Sequence, residues 1–345
     1  MALFNTPENR KAGFKLALIA TLLAVLVVGL GAFTRLTHAG LGCPDWPGCY
    51  GHVTWPQKDH EIERANLAFP EAPVELEKTW PEMVHRYFAG ALLVLTLVML
   101  AQAVRHRQKP AQPLKLPIFI FAFIILQSLF GMWTVTLKLW PQIVTTHLLG
   151  GFTMLSLLWL QTLRLNNFNW RLDDRDLGRV LALRRWAVVG LLIVIAQVAL
   201  GGWTTSNYAA VACTDFPECH GAWIPEMDFA AGFNVFQHIG PNYLGGIMDN
   251  SARIAIHFAH RVGALVTAVY VVWLAWLLIA RGALQETRRL AYVLLIVMAA
   301  QIALGISNIV FAFPLSVAVA HNLTGALLLL VLVTLNHRVF TAQPR

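Results

Sequence analysis

Long apolar stretches alternate along this chain with shorter or strongly polar segments. A helix that crosses the hydrocarbon core of a bilayer needs about 20 mostly apolar residues. The pattern therefore predicts an all-α polytopic membrane protein. Eight stretches have the required length, and they predict membrane-spanning helices at residues 14–36, 82–104, 115–137, 141–163, 184–206, 253–280, 288–312 and 314–336.

The composition agrees with this pattern and excludes an ordinary soluble domain. Of the 345 residues, 57% are hydrophobic and only 13% are charged, and the mean hydropathy is +0.60. Soluble domains have about 25% charged residues. The formal net charge of +8 does not indicate a nucleic-acid partner, because the basic residues are confined to one set of connecting segments.

The charges also predict the orientation in the membrane. Lys and Arg precede the first span and fill the second, fourth and sixth connections, whereas the long connections 37–80 and 207–252 are acidic. Cytoplasmic loops carry the excess of Lys and Arg, so both termini are expected in the cytoplasm and both long loops outside. No cleavable signal peptide or mitochondrial presequence is evident. This favours the inner membrane of a bacterium, with periplasmic long loops.

All four cysteines lie in the outer loops, as two pairs with the same spacing. Cys43 and Cys49 are in the first loop, and Cys213 and Cys219 are in the second. The space outside a bacterial inner membrane is oxidising, so we expect one disulfide within each pair. Neither pair is a C-x-x-C-H haem attachment motif, because five residues separate the two cysteines.

Matching motifs indicate that the second half of the chain repeats the first. The cysteines and a Gly-x-x-Thr motif recur after 170 residues, and other motifs recur after 174 or 175. Both units begin on the inside, so the repeat is parallel. We expect an N-terminal four-helix unit at 1–163, a basic cytoplasmic linker at 164–183 and a C-terminal four-helix unit at 184–345. The later matches pair His85-Arg86 with His260-Arg261, Gln127 to Gly131 with Gln301 to Gly305, and His147 with His321.

Four histidines form two matching pairs near the outer ends of their spans. His85 and His147 are 62 residues apart, and His260 and His321 are 61 apart. From the predicted span ends, all four lie about 5–12 Å inside the outer boundary. A lone histidine could simply hydrogen-bond a neighbouring helix, but paired and duplicated ionisable residues within a membrane indicate function. Two imidazoles on facing helices can ligate the iron of one porphyrin, so each unit is expected to hold one haem. Apart from His257, the remaining histidines are expected to be solvated: His38, His52, His60, His106, His220, His238 and His337.

One difference between the halves suggests that the pockets have different roles, with chemistry in the first and a permanent haem that passes or stores electrons in the second. Glu82 precedes His85 by three residues, and His257 precedes His260 by three. Residues three apart share a helix face, so Glu82 is expected to face the first pocket and to act there as an acid or base. The alternative is an interfacial glutamate that caps the first helical turn. His257, Arg86 and Arg261 are further candidates for the surroundings of the two pockets.

Two other metal sites are weaker interpretations of these residues. A zinc site could use Cys43, Cys49, His52 and His60, but the second loop repeats the cysteines without the histidine spacing. A di-iron carboxylate bundle also uses Glu-x-x-His. It needs that motif on two helices and a glutamate on two more, and the other spans supply no carboxylates.

The chain resembles the haem A synthases, the family that oxidises haem O to haem A for cytochrome oxidase. The resemblance covers nearly the whole chain and depends on the order and spacing of several motifs. These are Thr34-Arg-Leu-Thr-His-Ala-Gly-Leu-Gly, the following Cys-Pro-Asp-Trp-Pro-Gly-Cys, Glu82-x-x-His85-Arg86, His147, His260-Arg261 and His321.

The resemblance implies a specific role for each site. His85 and His147 would ligate the substrate haem O, and His260 and His321 would ligate a haem b cofactor. Glu82 matches the catalytic glutamate of the family, and the first cysteine pair matches its outer-loop pair. A ring methyl of haem O would become a formyl group through a hydroxymethyl intermediate. An external donor would supply electrons, and haem O synthase and oxidase assembly factors are implied partners.

Two other functions remain open at this stage. A di-haem b protein that oxidises quinol would use the same histidines, but simple electron transfer needs no carboxylate on one side only. A haem transporter or chaperone would bind haem without altering it. Residues 225–250 match no motif of the resemblance.

Overall fold

The computed structural model describes residue 6 and residues 9–109, 112–281 and 285–345. In this part of the chain nearly all regular structure is helical. The elements are α1 Phe14–Leu36, α2 Asp59–Ala68, α3 Leu76–Arg105, α4 Lys115–Thr136, α5 Pro141–Asn166, β1 Arg171–Leu172, α6 Asp174–Leu181, α7 Arg184–Ser206, α8 Phe229–Gly232, α9 Asn250–Arg281, α10 Gln285–Val310, α11 Leu315–Phe340 and β2 Gln343–Pro344.

Eight of the described helices are long and apolar enough to cross a membrane: α1, α3, α4, α5, α7, α9, α10 and α11. The predicted all-α polytopic membrane fold is therefore confirmed. The largest boundary error is at α3, which begins at Leu76 rather than at residue 82. Its first turns carry Glu77 and Lys78, so they lie outside the apolar run although they are helical.

The spanning helices pack in chain order within each half. In the first half α1 contacts α3 and α5, and α4 contacts the same two helices; in the second half α7 and α10 each contact α9 and α11. Contacts between the halves are made by α5 with α7 and by α11 with α1 and α5. Fully buried Leu158, Leu274 and Leu332 belong to the continuous apolar core of this bundle. The division into two units remains an interpretation of the repeat.

Equivalent residues of the two halves meet where α1 and α7 end. His38 and Tyr208, related by the 170-residue offset, stack with ring centroids 5.5 Å apart. The guanidinium of Arg35 lies 4.0 Å from the centroid of the Tyr208 ring and donates to the carbonyl of Thr205, its own counterpart. Residues at equivalent positions of the proposed repeat therefore lie side by side at this point.

The linker between the halves is ordered and contacts the C-terminal segment. The carboxylate of Asp173 caps α6 by accepting from the backbone of Asp176 at 2.9 Å. The strands β1 and β2 pair in parallel. His337 was expected to be solvated, and this prediction was wrong. Because α11 continues four residues past the predicted span to Phe340, the His337 side chain lies in the packed interior, 8% exposed.

Residues 225–250, which matched no motif, cross from the second half to the first. The indole of Trp140 donates to the carbonyl of Gln237 at 3.1 Å, and the backbone N–H of Tyr243 donates to the carbonyl of Lys138 at 3.0 Å. The Tyr243 side chain is 2% exposed. This segment therefore covers the turn between α4 and α5.

Candidate functional site

The four paired histidines lie on four helices, near the same end of the bundle. His85 is on α3, His147 on α5, His260 on α9 and His321 on α11. Counted from the first residue of each helix at 1.5 Å per residue, they lie about 9–15 Å along the helix axis. This depth exceeds the predicted one because α3 and α9 begin before their apolar runs.

The helices that carry each predicted pair of histidines pack against the same two neighbours. α3 and α5 both contact α1 and α4, and α9 and α11 both contact α7 and α10. All four side chains are half-buried. Each half therefore carries one imidazole on each of two helices that face across a four-helix bundle.

Each imidazole packs against a glycine on the adjacent helix. A Cβ atom at Gly31 would lie 2.9 Å from Cε1 of His85, and one at Gly201 would lie 3.2 Å from Cε1 of His260. Gly131 and Gly305 have the same relation to His147 and His321, at 3.2 and 3.1 Å. A side chain at any of these positions would crowd the imidazole ring, so the four glycines allow this close packing.

Three of the four imidazoles also contact a glutamine amide. Nε2 of Gln127 lies 3.0 Å from Nδ1 of His147, and Nε2 of Gln197 lies 3.1 Å from Nδ1 of His260. Both amides also donate to the main-chain carbonyl of the histidine, at 2.6 and 3.0 Å. Gln301 contacts Nε2 of His321 instead, at 3.3 Å.

Glu82 is buried beside the first outer loop and uses both carboxylate oxygens there. Oε1 forms an ion pair with Arg86, and Oε2 accepts from the backbone N–H of Cys43 at 3.0 Å. Its exposed fraction is 4%. Glu82 is the seventh residue of α3, so it does not cap the first turn. Both contacts stabilise the ionised carboxylate, so loss of either one would favour its protonation.

The equivalent position in the second half holds a histidine in place of the carboxylate. His257 is 5% exposed, and its Nε2 accepts from Nε of Arg261 at 3.3 Å. His257 therefore contacts Arg261 as Glu82 contacts Arg86, but a histidine offers the arginine no negative charge.

Both arginines hold the disulfide loops against the bundle. Arg86 donates to the carbonyl of Asp45 at 2.9 Å, and Arg261 donates to the carbonyl of Asp215 at 2.8 Å. The two predicted disulfides are present, Cys43–Cys49 and Cys213–Cys219, with Cα atoms 4.8 and 5.0 Å apart. Arg86 and Arg261 thus connect the histidine helices to the loops above them.

An aspartate closes each disulfide loop in the same way. The Asp45 carboxylate accepts from the backbone of Tyr50 at 2.6 Å and of Gly51 at 2.7 Å. Asp215 accepts from Gly221 at 2.8 Å and from His220 at 2.7 Å, and these backbone donors lower the pKa of its carboxyl group. The loops are therefore matched structural elements.

The zinc interpretation is wrong for the first outer loop. Cys43 and Cys49 are joined to each other, so neither supplies a thiolate. In the described ranges no cluster of three or more His, Cys, Asp or Glu side chains could hold a metal ion. Axial ligation of a porphyrin iron needs only two imidazoles, which is what each half presents.

The glutamines are functional candidates that the sequence analysis missed. Gln127, Gln197 and Gln301 each precede one of the packing glycines by four residues, as Gln-x-x-x-Gly. Residues four apart share a helix face, so the motif places the glutamine amide beside the space that the glycine leaves, and one imidazole packs against both. The first helix has Val27 at this position.

Comparison with known proteins identifies the family. The chain matches the family COX15-CtaA, cytochrome oxidase assembly protein, over residues 14–333. It is 46% identical over 323 residues to the haem A synthase of Shewanella oneidensis, covering 94% of each chain. The chain belongs to the haem A synthase family. Members named haem A synthase in Sphingopyxis alaskensis and Halalkalibacterium halodurans are 28% and 26% identical, over 92% and 88% of this chain and 89% of each of theirs. As a haem A synthase family member, the protein is a membrane oxidoreductase.

Proposed function

We propose that this protein converts haem O to haem A by oxidising one ring methyl to a formyl group through a hydroxymethyl intermediate. The observation that supports this most is the duplicated arrangement of two imidazoles, each packed on a glycine, in a chain 46% identical to a named haem A synthase. In this proposal haem O is the substrate and dioxygen is the oxidant in two successive oxygenations. Each inserts one oxygen atom at the methyl carbon, and an external donor supplies the two electrons that reduce the other oxygen atom to water; loss of water from the twice-hydroxylated carbon leaves the formyl group.

The donor set of each half suits an iron porphyrin. Neutral imidazoles are good iron ligands, and the missing Cβ atoms at the glycines leave room for their rings. We assign His85 and His147 to the substrate haem O, and His260 and His321 to a haem b cofactor. Haem b, when bound, supplies one-electron redox chemistry.

Glu82 is our candidate for the proton-handling group of the first pocket. It lies one turn before His85 on α3 and is buried against Arg86 and Cys43. Release of the Arg86 contact would free Oε1 to accept a proton, and re-formation of the ion pair would favour its loss. The second half has no carboxylate at the equivalent position, which supports assigning the chemistry to the first half.

The charge distribution supports a location in the bacterial inner membrane, with both termini in the cytoplasm and the disulfide loops in the periplasm. Haem O synthase and oxidase assembly factors are proposed partners, because the substrate is made and the product is used in the same membrane. A cytoplasmic reporter fused after residue 345 should be active, and a periplasmic one inactive.

The function is tested by expressing the full chain with a source of haem O and chromatographing the extracted haems. We expect haem A together with the hydroxymethyl intermediate. Glu82→Gln should abolish or greatly reduce conversion while the absorbance spectrum shows that haem is still bound. His257→Gln is the matched control, because it changes the equivalent side chain beside Arg261, and it should still convert haem O.

Three other results would contradict the proposal in different ways. Haem b alone in every extract would favour an electron-transfer protein. Bound haem O that is never altered would favour a transporter or chaperone. Full conversion by the Glu82→Gln variant would remove Glu82 from the chemistry and leave the haem assignments to be judged separately.

A further inference from the structure

Arg35 is a cation at the junction of the two halves, and it has no carboxylate partner within the described residues. It is the last residue but one of α1, and its counterpart at the 170-residue offset is the uncharged Thr205. The ion pairs in this part of the chain are Lys78 with Glu75, Arg86 with Glu82 and Arg179 with Asp176. A charge that is partly withdrawn from water is unfavourable without an opposite charge, so an anion would stabilise Arg35.

The hydrogen bonds of Arg35 use only one nitrogen of its guanidinium. Nη2 donates to the carbonyls of Thr205 and Ser206, at 2.5 and 3.5 Å. These are the last two residues of α7, so the contacts also cap that helix. Nε is buried and forms no hydrogen bond in the described ranges. A guanidinium offers five N–H donors in a planar fork that matches a carboxylate, so donors remain for one.

The second half holds this guanidinium in place without neutralising it. The guanidinium carbon lies 4.0 Å from the centroid of the Tyr208 ring, and the same ring stacks on His38. Neither ring brings a negative charge, and the carbonyls of α7 are neutral as well. An ordered side chain loses less conformational entropy when a ligand binds, so Arg35 is already arranged to receive an anion.

Arg35 lies one helical turn beyond the glycine that packs against His85. A Cβ atom at Gly31 would lie 2.9 Å from Cε1 of His85, and residues four apart share a helix face. Four residues correspond to about 6 Å along the helix axis. On α7, Thr205 has the same relation to Gly201, which packs against the imidazole of the second half. The guanidinium therefore lies about one turn from the glycines that contact the imidazoles, towards the disulfide loops.

The anion that such a place would receive is a carboxylate of the porphyrin itself. A haem carries two propionate groups at one edge of its ring, and their charges need a partner when the ring enters an apolar bundle. Arg86 is engaged by Glu82, whereas Arg35 has no acid. Because Arg35 belongs to α1 and the second half has Thr205 at this position, the charge favours the first pocket.

We infer that Arg35 binds a propionate carboxylate of the haem in the first pocket, so that this pocket selects porphyrins with free carboxyl groups. This inference rests on the proposed haem assignments. Arg35 is a substrate-binding residue in this scheme and takes no part in the oxidation. Its contacts with α7 place the ion pair at the boundary between the two halves.

The test compares haem O with its dimethyl ester, in which both carboxyl groups are neutral. The full chain, loaded with haem b and kept without an electron donor, is titrated with each porphyrin while absorbance reports binding. The wild type should bind haem O about 10–100-fold more tightly than the ester, the range expected for a hydrogen bond between charged groups. Arg35→Met should bind the two equally. Arg35→Lys should restore part of the preference, because it keeps the charge without the fork.

Lys78→Met is the matched control for a general effect of charge. Lys78 is near the start of α3, and this part of α3 adjoins the end of α1, since the Thr34 hydroxyl donates to the carbonyl of Pro81 at 3.2 Å. Nζ of Lys78 already lies 2.6 Å from the Glu75 carboxylate. The preference for haem O should therefore be unchanged, and its loss in Lys78→Met would overturn the inference.

Failure of the inference can be distinguished from failure of the haem assignments. Equal affinity of the wild type for both porphyrins would overturn the inference without any variant. If Arg35→Met weakens both by the same factor, then Arg35 only caps α7; if it releases haem b instead, then Arg35 serves the second pocket. If His85→Ala binds haem O as tightly as the wild type does, the proposed haem assignments fail instead.

Discussion

The position of the Gln127 side chain, which contacts His147, depends on a single glycine. One small substitution at that glycine should therefore displace the amide. A Cβ atom at Gly150 would lie 1.9 Å from Oε1 and 2.9 Å from Cδ of Gln127. These distances are far below van der Waals contact, so Gly150→Ala must displace the Gln127 side chain. The displaced amide loses its contacts with Nδ1 and the main-chain carbonyl of His147.

The next residue supplies a nearly ideal control. A Cβ atom at Gly151 would meet Nε2 of Gln127 at 3.9 Å and Cγ2 of Val28 at 4.0 Å, which is ordinary contact. Both substitutions gain the same helix propensity, about 0.5–1 kcal/mol, so this gain cancels in the comparison. The two lost hydrogen bonds are each worth about 0.5–1.5 kcal/mol. We therefore expect Gly150→Ala to be about 1–3 kcal/mol less stable than Gly151→Ala.

The difference can be measured by unfolding the two purified variants side by side in the same detergent and denaturant series. Haem affinity should follow the same order, because His147 loses the group that orients its ring. If both variants unfold at the same denaturant concentration and bind haem equally, then Gln127 does not occupy the Gly150 gap and the glutamine argument fails for this pair of helices.

Two further predictions concern the outer loops. Arg86→Met leaves the buried Glu82 without its ion-pair partner and should cost about 3–5 kcal/mol of stability. Arg261→Met leaves only His257, which has no negative charge, and should cost less. Equal losses in matched unfolding measurements would contradict this. Burial, followed by the nearby carboxylates, raises the pKa of the Tyr50 phenol to about 12. The neutral phenol therefore contributes its full stabilisation below about pH 10, the ordinary tyrosine pKa. This contribution should be lost as the pH rises towards 12. Tyr50→Phe should remove this loss of stability and the last ionising phenol from an absorbance titration.

Hydropathy predicted the spanning helices well and their polar ends poorly. The predicted and observed bounds agree at α1 and α7, where basic or small polar residues end the apolar run. At α3 the helix starts six residues early, through a charged turn that hydropathy does not score. At α11 it continues through His337 and Arg338, which pack inside the protein although their polarity suggested a solvated end.

The paired histidines were predictable because ionisable residues are rare within apolar runs and these recur with the repeat. Their partners could not be predicted, because the role of a glycine or a glutamine in such a run depends on the register between two helices, which the sequence does not show. Likewise, the spacing of Glu82 and His85 predicted a shared helix face, but only the fold shows that Arg86 and Cys43 take both oxygens of the carboxylate.

The two halves share their scaffold and differ at matched positions near the paired imidazoles. The features that hold the structure together occur in both halves: the disulfide loop, the arginine that anchors it and the glycine beneath each ring. Around His85 the first half has Glu82, Val27 and Phe88 where the second half has His257, Gln197 and Gly263. Beside His147 it has Gly150 where the second half has Thr324. The scaffold is therefore shared, and the matched differences lie on the helices that carry or contact the paired imidazoles, where a change alters a pocket without removing the support of the fold.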